Sequence, residues 1–426
     1  MAPMLKVNKN TLKKLTGRFF AFLAVFFITL PSLSAWALNK DSVLWFLEGQ
    51  ILGGYSQIEG TSGLGSIISN WLVSPTVKLD NNLYWINIYN GSYDRMAQVV
   101  TQDEGNRQAT DIQTHNLSTS FKHRVNDTWS LRPHFFVNWS FLKETEDESF
   151  GNGLYDYRDI GGGLESSWIT LNTRQQQDEA RLGFQFFKRE YPNYQSVLFL
   201  FDPNGTTEID EKDFYGYKAN LSFDSRSRSG WSWGLETISL YKDYTDKQTI
   251  DSNGIRTGDT RQDFAQYVNG YAIYSLCSEF TLRLDGQFVV NVSNLDFYDT
   301  HNTLSPADDD FIEKYYDYFI FNFKPSMIYT KNIEKDKNFV ASVGYELNVF
   351  YYPGRKTQDP QGIYQDKDEQ DFTHTFTLQT SYPVTKQIAW VTLLSYTIAN
   401  SNQEFEQFYT YNYNLWSAVT GVSIKY

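Results

Sequence analysis

Stretches of eleven to thirteen residues in which every second side chain is apolar and its neighbours polar recur along this chain. In 129–141 one set is Trp129, Leu131, Phe135, Val137, Trp139 and Phe141, and the other is Ser130, Arg132, His134, Asn138 and Ser140. In 280–292, Phe280, Leu282, Leu284, Phe288, Val290 and Val292 alternate with Thr281, Arg283, Asp285, Gln287 and Asn291. The same separation holds in 115–125, 339–351 and 372–382. A period of two over this length means long β-strands with one greasy and one wet face. Strands of about ten residues or more suit a membrane-spanning barrel, whereas sandwich strands are commonly about half that length.

Composition supports that choice. Aromatics make up 17% of the residues, with 30 Tyr, 32 Phe and 11 Trp, yet the mean hydropathy is −0.47. A large soluble β-sandwich or propeller is the rival class. A barrel reconciles the two values, because only alternate residues meet lipid while Tyr, Trp and Phe gather at the interfaces. Beyond residue 37 no apolar run reaches the roughly 18 residues of a spanning helix. The single Cys277 precludes an intrachain disulfide, and no Cys/His spacing marks a metal cluster.

Residues 1–37 carry Lys6, Lys9, Lys13, Lys14 and Arg18 and no acid, then an apolar run Phe19–Leu30, then Pro31 and Ala35-Trp36-Ala37. This is the order of a cleaved secretory signal, with residues 38–426 as one exported barrel domain. Loss of its five positive charges moves the formal net charge from −13 to −18. So acidic a chain argues against nucleic-acid binding, which needs clustered Lys and Arg.

The chain ends YTYNYNLWSAVTGVSIKY. Ile424, Val422, Thr420, Ala418 and Trp416 alternate with Lys425, Ser423, Gly421 and Ser417, and Tyr426 closes the strand. The ending Gly421-x-x-Ile424-x-Tyr426 resembles the C-terminal signal by which Gram-negative outer-membrane β-barrels are recognised for insertion, with Tyr in place of the usual Phe. That resemblance implies an outer-membrane location and contact with the barrel-assembly machinery, membrane lipid and lipopolysaccharide. Asn90-Gly91-Ser92-Tyr93 and Trp129–Gly162 are also similar to barrels that follow tetratricopeptide domains, surface-lipoprotein assembly modifiers among them. No helical repeat precedes them here, and no subfamily is assigned.

Connections alternate between short and long. Short turns are expected near 80–82, 126–127, 172–176, 225–230, 277–279, 332–337 and 383–386. Longer polar loops are expected near 92–110, 144–154, 192–212, 245–260, 296–312, 353–369 and 400–408. With the C-terminus on the periplasmic side, fifteen strands from about Trp71 onward leave the N-terminus on the wrong side. Val43–Ser56 therefore supplies a sixteenth strand, with a loop over 57–70; Gly49, Gly53 and Gly54 interrupt it, and a short plug segment is the alternative. The expected fold is all-β, a transmembrane antiparallel up-and-down barrel of about sixteen strands, within a range of fourteen to eighteen. At that size the lumen is aqueous.

The polar sets nominate the lumen lining: Lys122, Arg124, Arg132, His134, Glu165, Arg181, Lys218, Glu236, Arg283, Asp285 and Glu346. Lys122, Arg124, Arg132 and Arg181 could form a basic wall facing Glu236, Asp285 and Glu346, which would set a transverse field for dipolar solutes. Scattered charges that hydrate the pore are the plainer reading. His115, His123 and His374 share parity with apolar sets, leaving His134 as the inward histidine. Ser130 and Ser140 stand too far along the strand for a Ser–His pair. No catalytic residue, metal site or cofactor is assigned. The acidic runs Glu144–Glu148, Asp308–Asp310 and Asp366–Asp371 fall in predicted outer loops, where divalent cations could bridge them to lipopolysaccharide. The leading function is a diffusion channel for small hydrophilic solutes. A polypeptide translocation or surface-assembly barrel, a barrel enzyme and a structural or adhesive barrel are the alternatives.

Overall fold

A computed structural model of the chain describes residues 43–60, 63–102, 105–143, 145, 148–194, 210–299, 310–406 and 411–426. Sixteen strands close into one barrel. In chain order they are β1 (Val43–Ile58), β2 (Leu64–Lys78), β3 (Leu83–Gln102), β4 (Gly105–Arg124), β5 (Trp129–Lys143), β6 (Tyr157–Asn172), β7 (Gln176–Glu190), β8 (Phe214–Ser227), β9 (Trp231–Ile250), β10 (Arg256–Ser275) and β11 (Phe280–Ser293). A small two-stranded ribbon follows, β12 (Phe297–Asp299) and β13 (Asp310–Ile312). The barrel resumes with β14 (Tyr318–Glu334), β15 (Lys337–Gln358), β16 (Tyr364–Pro383), β17 (Ile388–Ser401) and β18 (Tyr413–Lys425). Each strand pairs antiparallel with its sequence neighbours, β11 pairs β14, and β1 pairs β18.

The proposed signal segment 1–37 lies outside the described residues. Val43–Ser56 forms a barrel strand, which makes the count even and puts both ends of the barrel with the short turns. One end carries connections such as 79–82, 125–128 and 335–336, and the other carries the longer ones. Several expected loops are instead strand. β2 begins at Leu64, β3 and β4 continue through much of 92–110, and β9, β10, β15 and β16 continue through 245–260 and 353–369. The reason is physical. Beyond the bilayer both faces of a hairpin are wet, so pairing continues while the alternation that announces a strand disappears.

Register fixes the faces. Phe135 lies opposite Gly162, and Phe186 opposite the same glycine from the other side, in a set that continues through Tyr217, Tyr241 and Phe264. These face lipid: Phe184, Leu221, Leu235 and Val343 are about half exposed despite being apolar. Aromatic pairs stand toward both ends, with Trp231 and Tyr274 centroids 4.4 Å apart and Phe280 and Tyr329 4.9 Å apart near the short turns, and Phe186–Tyr215 at 5.9 Å and Phe319–Tyr351 at 6.1 Å toward the other end. Toward the other end the outward face turns ionic, as in Lys188–Glu190 at 2.7 Å and Lys356–Asp368 at 2.8 Å. An apolar band edged by aromatics and charges is the outer surface of a transmembrane barrel.

Closure depends on the last strand. β18 pairs β1 from Lys425↔Glu48 to Leu415↔Ile58. Tyr426 completes the ladder, donating its amide to Leu47 at 2.8 Å and accepting from the Leu47 amide at 2.9 Å. Its ring and the Ile424 side chain stand exposed. Gly421 faces inward where the two strands approach closely, and a Cβ there would stand 2.0 Å from the Ile51 carbonyl oxygen. Gly421→Val should therefore open the seam at a cost of about 1–3 kcal/mol, read as loss of the heat-modifiable band on an unboiled gel. A variant as heat-resistant as the parent would contradict this.

Candidate functional site

The inner face is set by the same parity, and all eleven lumen candidates belong to it. Their neighbours show how the wall is built. Glycines stand at inward positions on β6, β8 and β9, and side chains of the flanking strands lie across them. His134 and Gln185 meet over Gly163, with His134 Nε2 3.0 Å from Gln185 Nε2. Phe136 and Phe187 meet over Gly161, centroids 6.2 Å apart. Tyr271 crosses Gly234 and donates its hydroxyl to Asp224 at 2.7 Å. A bridge over an intervening strand requires the concave face, where side chains converge. It also requires a bare backbone beneath: a Cβ on Gly234 would stand 2.4 Å from the Tyr271 ring. Long side chains thus lie along the wall instead of projecting into the lumen.

The charged groups form local pairs. Arg132 lies opposite Glu165 and bonds it at 2.9 Å. Arg181 bonds Glu179 at 2.9 Å and approaches Asp224 at 3.3 Å. Arg283 and Asp285 pair at 2.7 Å, and Lys324 and Glu346 at 3.0 Å. Fully separated basic and acidic walls, entertained from the sequence, are therefore replaced by mixed ones. Amides link the pairs: Asn269 donates to Glu236 at 3.2 Å and accepts from Gln287 at 2.9 Å, while Asn322 donates to Glu346 at 2.8 Å. These groups and Tyr271 surround a polar recess of about 480 Å³. Lys218 is on the inner face beside the His134–Gln185 row, and Arg124 lies opposite Ser130 near the short-turn end.

His134 is inward, as its parity required, while His115, His123 and His374 are outward. His115 bonds the Tyr89 hydroxyl at 2.9 Å, and His374 bonds that of Tyr345 at 2.8 Å. Ser130 is bonded to Ser167 at 2.7 Å, with no contact to His134. His301, most of Glu144–Glu148, Asp308 and Asp309 lie outside the described residues. The run Asp366–Asp371 is strand, not loop, and β16 divides it: Asp368 faces Lys356 on the outside, Glu369 faces Arg355 within. Among the described residues no group of three or more His, Cys, Asp or Glu converges as a metal site.

Arginines sandwiched by rings hold the mouth at the long-loop end. Arg189 stands 3.9 Å over Tyr157 and bonds Asp159 at 2.7 Å. Arg261 lies between Tyr244 and Tyr316, at 4.6 and 4.4 Å, and Arg355 between Tyr315 and Tyr352, at 4.5 and 4.1 Å. Adjacent Tyr315 and Tyr316 thus clip the β13–β14 connection to β15 on one side and β10 on the other. The ribbon is tied further by Tyr364, whose hydroxyl donates to Asp299 at 2.8 Å.

Two loop carboxylates brace this mouth. Asp156 accepts from the Leu142 amide at 2.8 Å and the Gly153 amide at 3.0 Å, and Asp213 accepts from the Tyr191 amide at 2.7 Å. Burial pushes each up to about 6.

No family description matches the chain, and no curated protein is similar to it in sequence. Among solved structures it is similar to Pseudomonas putida OprB (10% identity, 90% of this chain and 94% of that one, TM-score 0.48). It is similar to a bacterial polysaccharide outer membrane secretin (9% identity, 90% and 98%, TM-score 0.44). It is also similar to the outer membrane protein opdK from Pseudomonas aeruginosa (9% identity, 90% and 99%, TM-score 0.41).

Gly234→Val should lift Tyr271 off the wall and lower any conductance through the lumen, with stability reduced by about 1–3 kcal/mol; an unchanged conductance in the folded variant would refute the bridge. For Asp156 and Asp213 the folded state holds its proton to higher pH than the unfolded chain does. Stability of the loop anchors should therefore be greatest near pH 4, fall as pH rises through 6 and then level off. Hydrogen exchange at the Leu142, Gly153 and Tyr191 amides, corrected for intrinsic rates, should show protection falling across that window by at most about tenfold per pH unit for each carboxylate. Protection that rises with pH would contradict it.

Proposed function

We propose that the protein is an outer-membrane diffusion channel for small hydrophilic solutes and performs no covalent chemistry. The observation that carries this reading is the inner wall, where glycine-bridged pairs keep long side chains flat and leave amides, hydroxyls and paired charges facing the lumen. A side-chain-filled core would need the reverse, bulky residues directed at the axis. Paired charges and amide ladders hydrate solutes without holding them tightly, as passage requires. The seam favours a permanent channel, since β1 and β18 stay paired along eleven register positions from Glu48 to Ile58. The exterior band would meet outer-membrane lipid, the ionic upper edge lipopolysaccharide, and the Gly421–Tyr426 ending the assembly machinery.

Purified protein in a planar bilayer should give steady open-channel current steps roughly proportional to salt concentration. A correctly folded, heat-modifiable barrel that stays electrically silent would defeat this proposal.

A further inference from the structure

The charges of the inner wall are not shared evenly around the barrel. On β11–β15, Arg283 and Lys324 are each held by a carboxylate. On β4–β7, Lys122, Arg132 and Arg181 converge with Ser130 and Ser167 on a recess of about 340 Å³ whose acids are Glu165 and Glu179. Both acids are already engaged, Glu165 by Arg132 and Glu179 by Arg181. Lys122 is left with no carboxylate within 4 Å among the described residues, and Arg124 follows it two residues later on the same face.

Register sharpens the imbalance. Ser120 lies opposite His134 and Arg124 opposite Ser130, so Lys122 lies opposite Arg132. Like charges directly across two strands destabilise a sheet. Glu165 offsets it on the Arg132 side through its ion pair, while Lys122 is in no ion pair among the described residues and meets Glu179 only across the recess. The Arg132 and Arg181 side chains remain 39% and 31% exposed, so the cations can be reached from the lumen. Locally unfavourable arrangements of this kind are where sequence has been shaped by something other than folding.

We propose that this recess is a binding subsite for the carboxylate of a small organic anion in transit. Lys122 supplies the unshared positive charge, the lumen-facing edges of Arg132 and Arg181 supply N–H donors, and the Ser130–Ser167 hydroxyl pair rotates to donate. A carboxylate between Lys122 and Arg132 replaces their repulsion with two charge-assisted hydrogen bonds. The remaining polar part of the solute can meet the Asn269–Gln287 amides, because the neighbouring recess shares Arg181. A channel in a strongly acidic protein then prefers anions. This inference rests on the channel reading for the solute's access.

The test uses purified wild type, Lys122→Glu, Lys122→Gln and, as a control in a distant turn, Lys335→Gln, each confirmed as a heat-modifiable barrel. In a KCl gradient the wild type and the control should select chloride over potassium, and Lys122→Glu should lower that ratio by about threefold or more. Succinate should reduce the chloride current, with an apparent affinity about tenfold weaker in both Lys122 variants, equivalent to ~1.4 kcal/mol. An open channel whose selectivity and succinate block are the same in all four proteins overturns the subsite and leaves the channel standing. If every protein is silent, the channel reading fails, and equilibrium dialysis of succinate against the detergent-solubilised proteins decides the recess by itself. Weaker binding by the Lys122 variants supports it, and equal binding overturns it.

Discussion

Hydrocarbon offers no hydrogen bonds, so a chain that crosses a bilayer as strands must satisfy every backbone N–H and C=O within a closed ladder. The seam between β1 and β18 is where this chain meets that requirement. Tyr426 spends both its amide and its carbonyl on Leu47, so the last residue of the chain is also the last rung of the barrel. Strand number, lumen width and the two-faced pattern of every strand follow from closure. Without it a row of orphan backbone groups would face lipid, each costing several kcal/mol.

Once the ladder is closed, the two faces answer to different solvents. Outside, Phe, Leu and Val meet lipid between two aromatic edges, one of which also carries ion pairs. Inside, the wall is organised by what it lacks. Glycines at Gly161, Gly163 and Gly234 leave bare backbone, and neighbours bridge over them as Phe136–Phe187, His134–Gln185 and Tyr271–Asp224. The bridges flatten the wall, and ion pairs and amide ladders finish it. The mouth is held by a different device, arginines stacked between tyrosines, which ties the long connections to the strands without an extended hydrophobic core.

How much of this could be read from the sequence depends on which force left a mark at period two. The lipid face did: alternation in 129–141, 280–292 and 339–351 marks real strands, and topology then demands Val43–Ser56 as one more. Hairpin ends beyond the membrane left none, so 92–110 and 353–369 read as loops although both are largely paired. For the lumen candidates the shared parity was legible, because parity is inherited by every residue of a strand. Their partners on other strands were not. Asp224 and Lys324 complete the pairs of Arg181 and Glu346, and pairing across strands depends on register, which composition does not encode, whereas Glu179 stands two residues from Arg181 on β7 and shares its parity. The inward glycines were the missed signal: a glycine sharing parity with polar residues marks a place where something lies across it.

The barrel wall meets lipid on one face and water on the other, residue by residue. Spin labels placed singly along 280–292, in a Cys277→Ser background reconstituted in bilayers, test it most directly through relaxation by oxygen and by a water-soluble nickel chelate. Opposite period-two profiles are expected, with oxygen highest at 282, 284, 288, 290 and 292 and nickel highest at 281, 283, 285 and 287. Profiles that rise and fall together, or that lack the period of two, would contradict it.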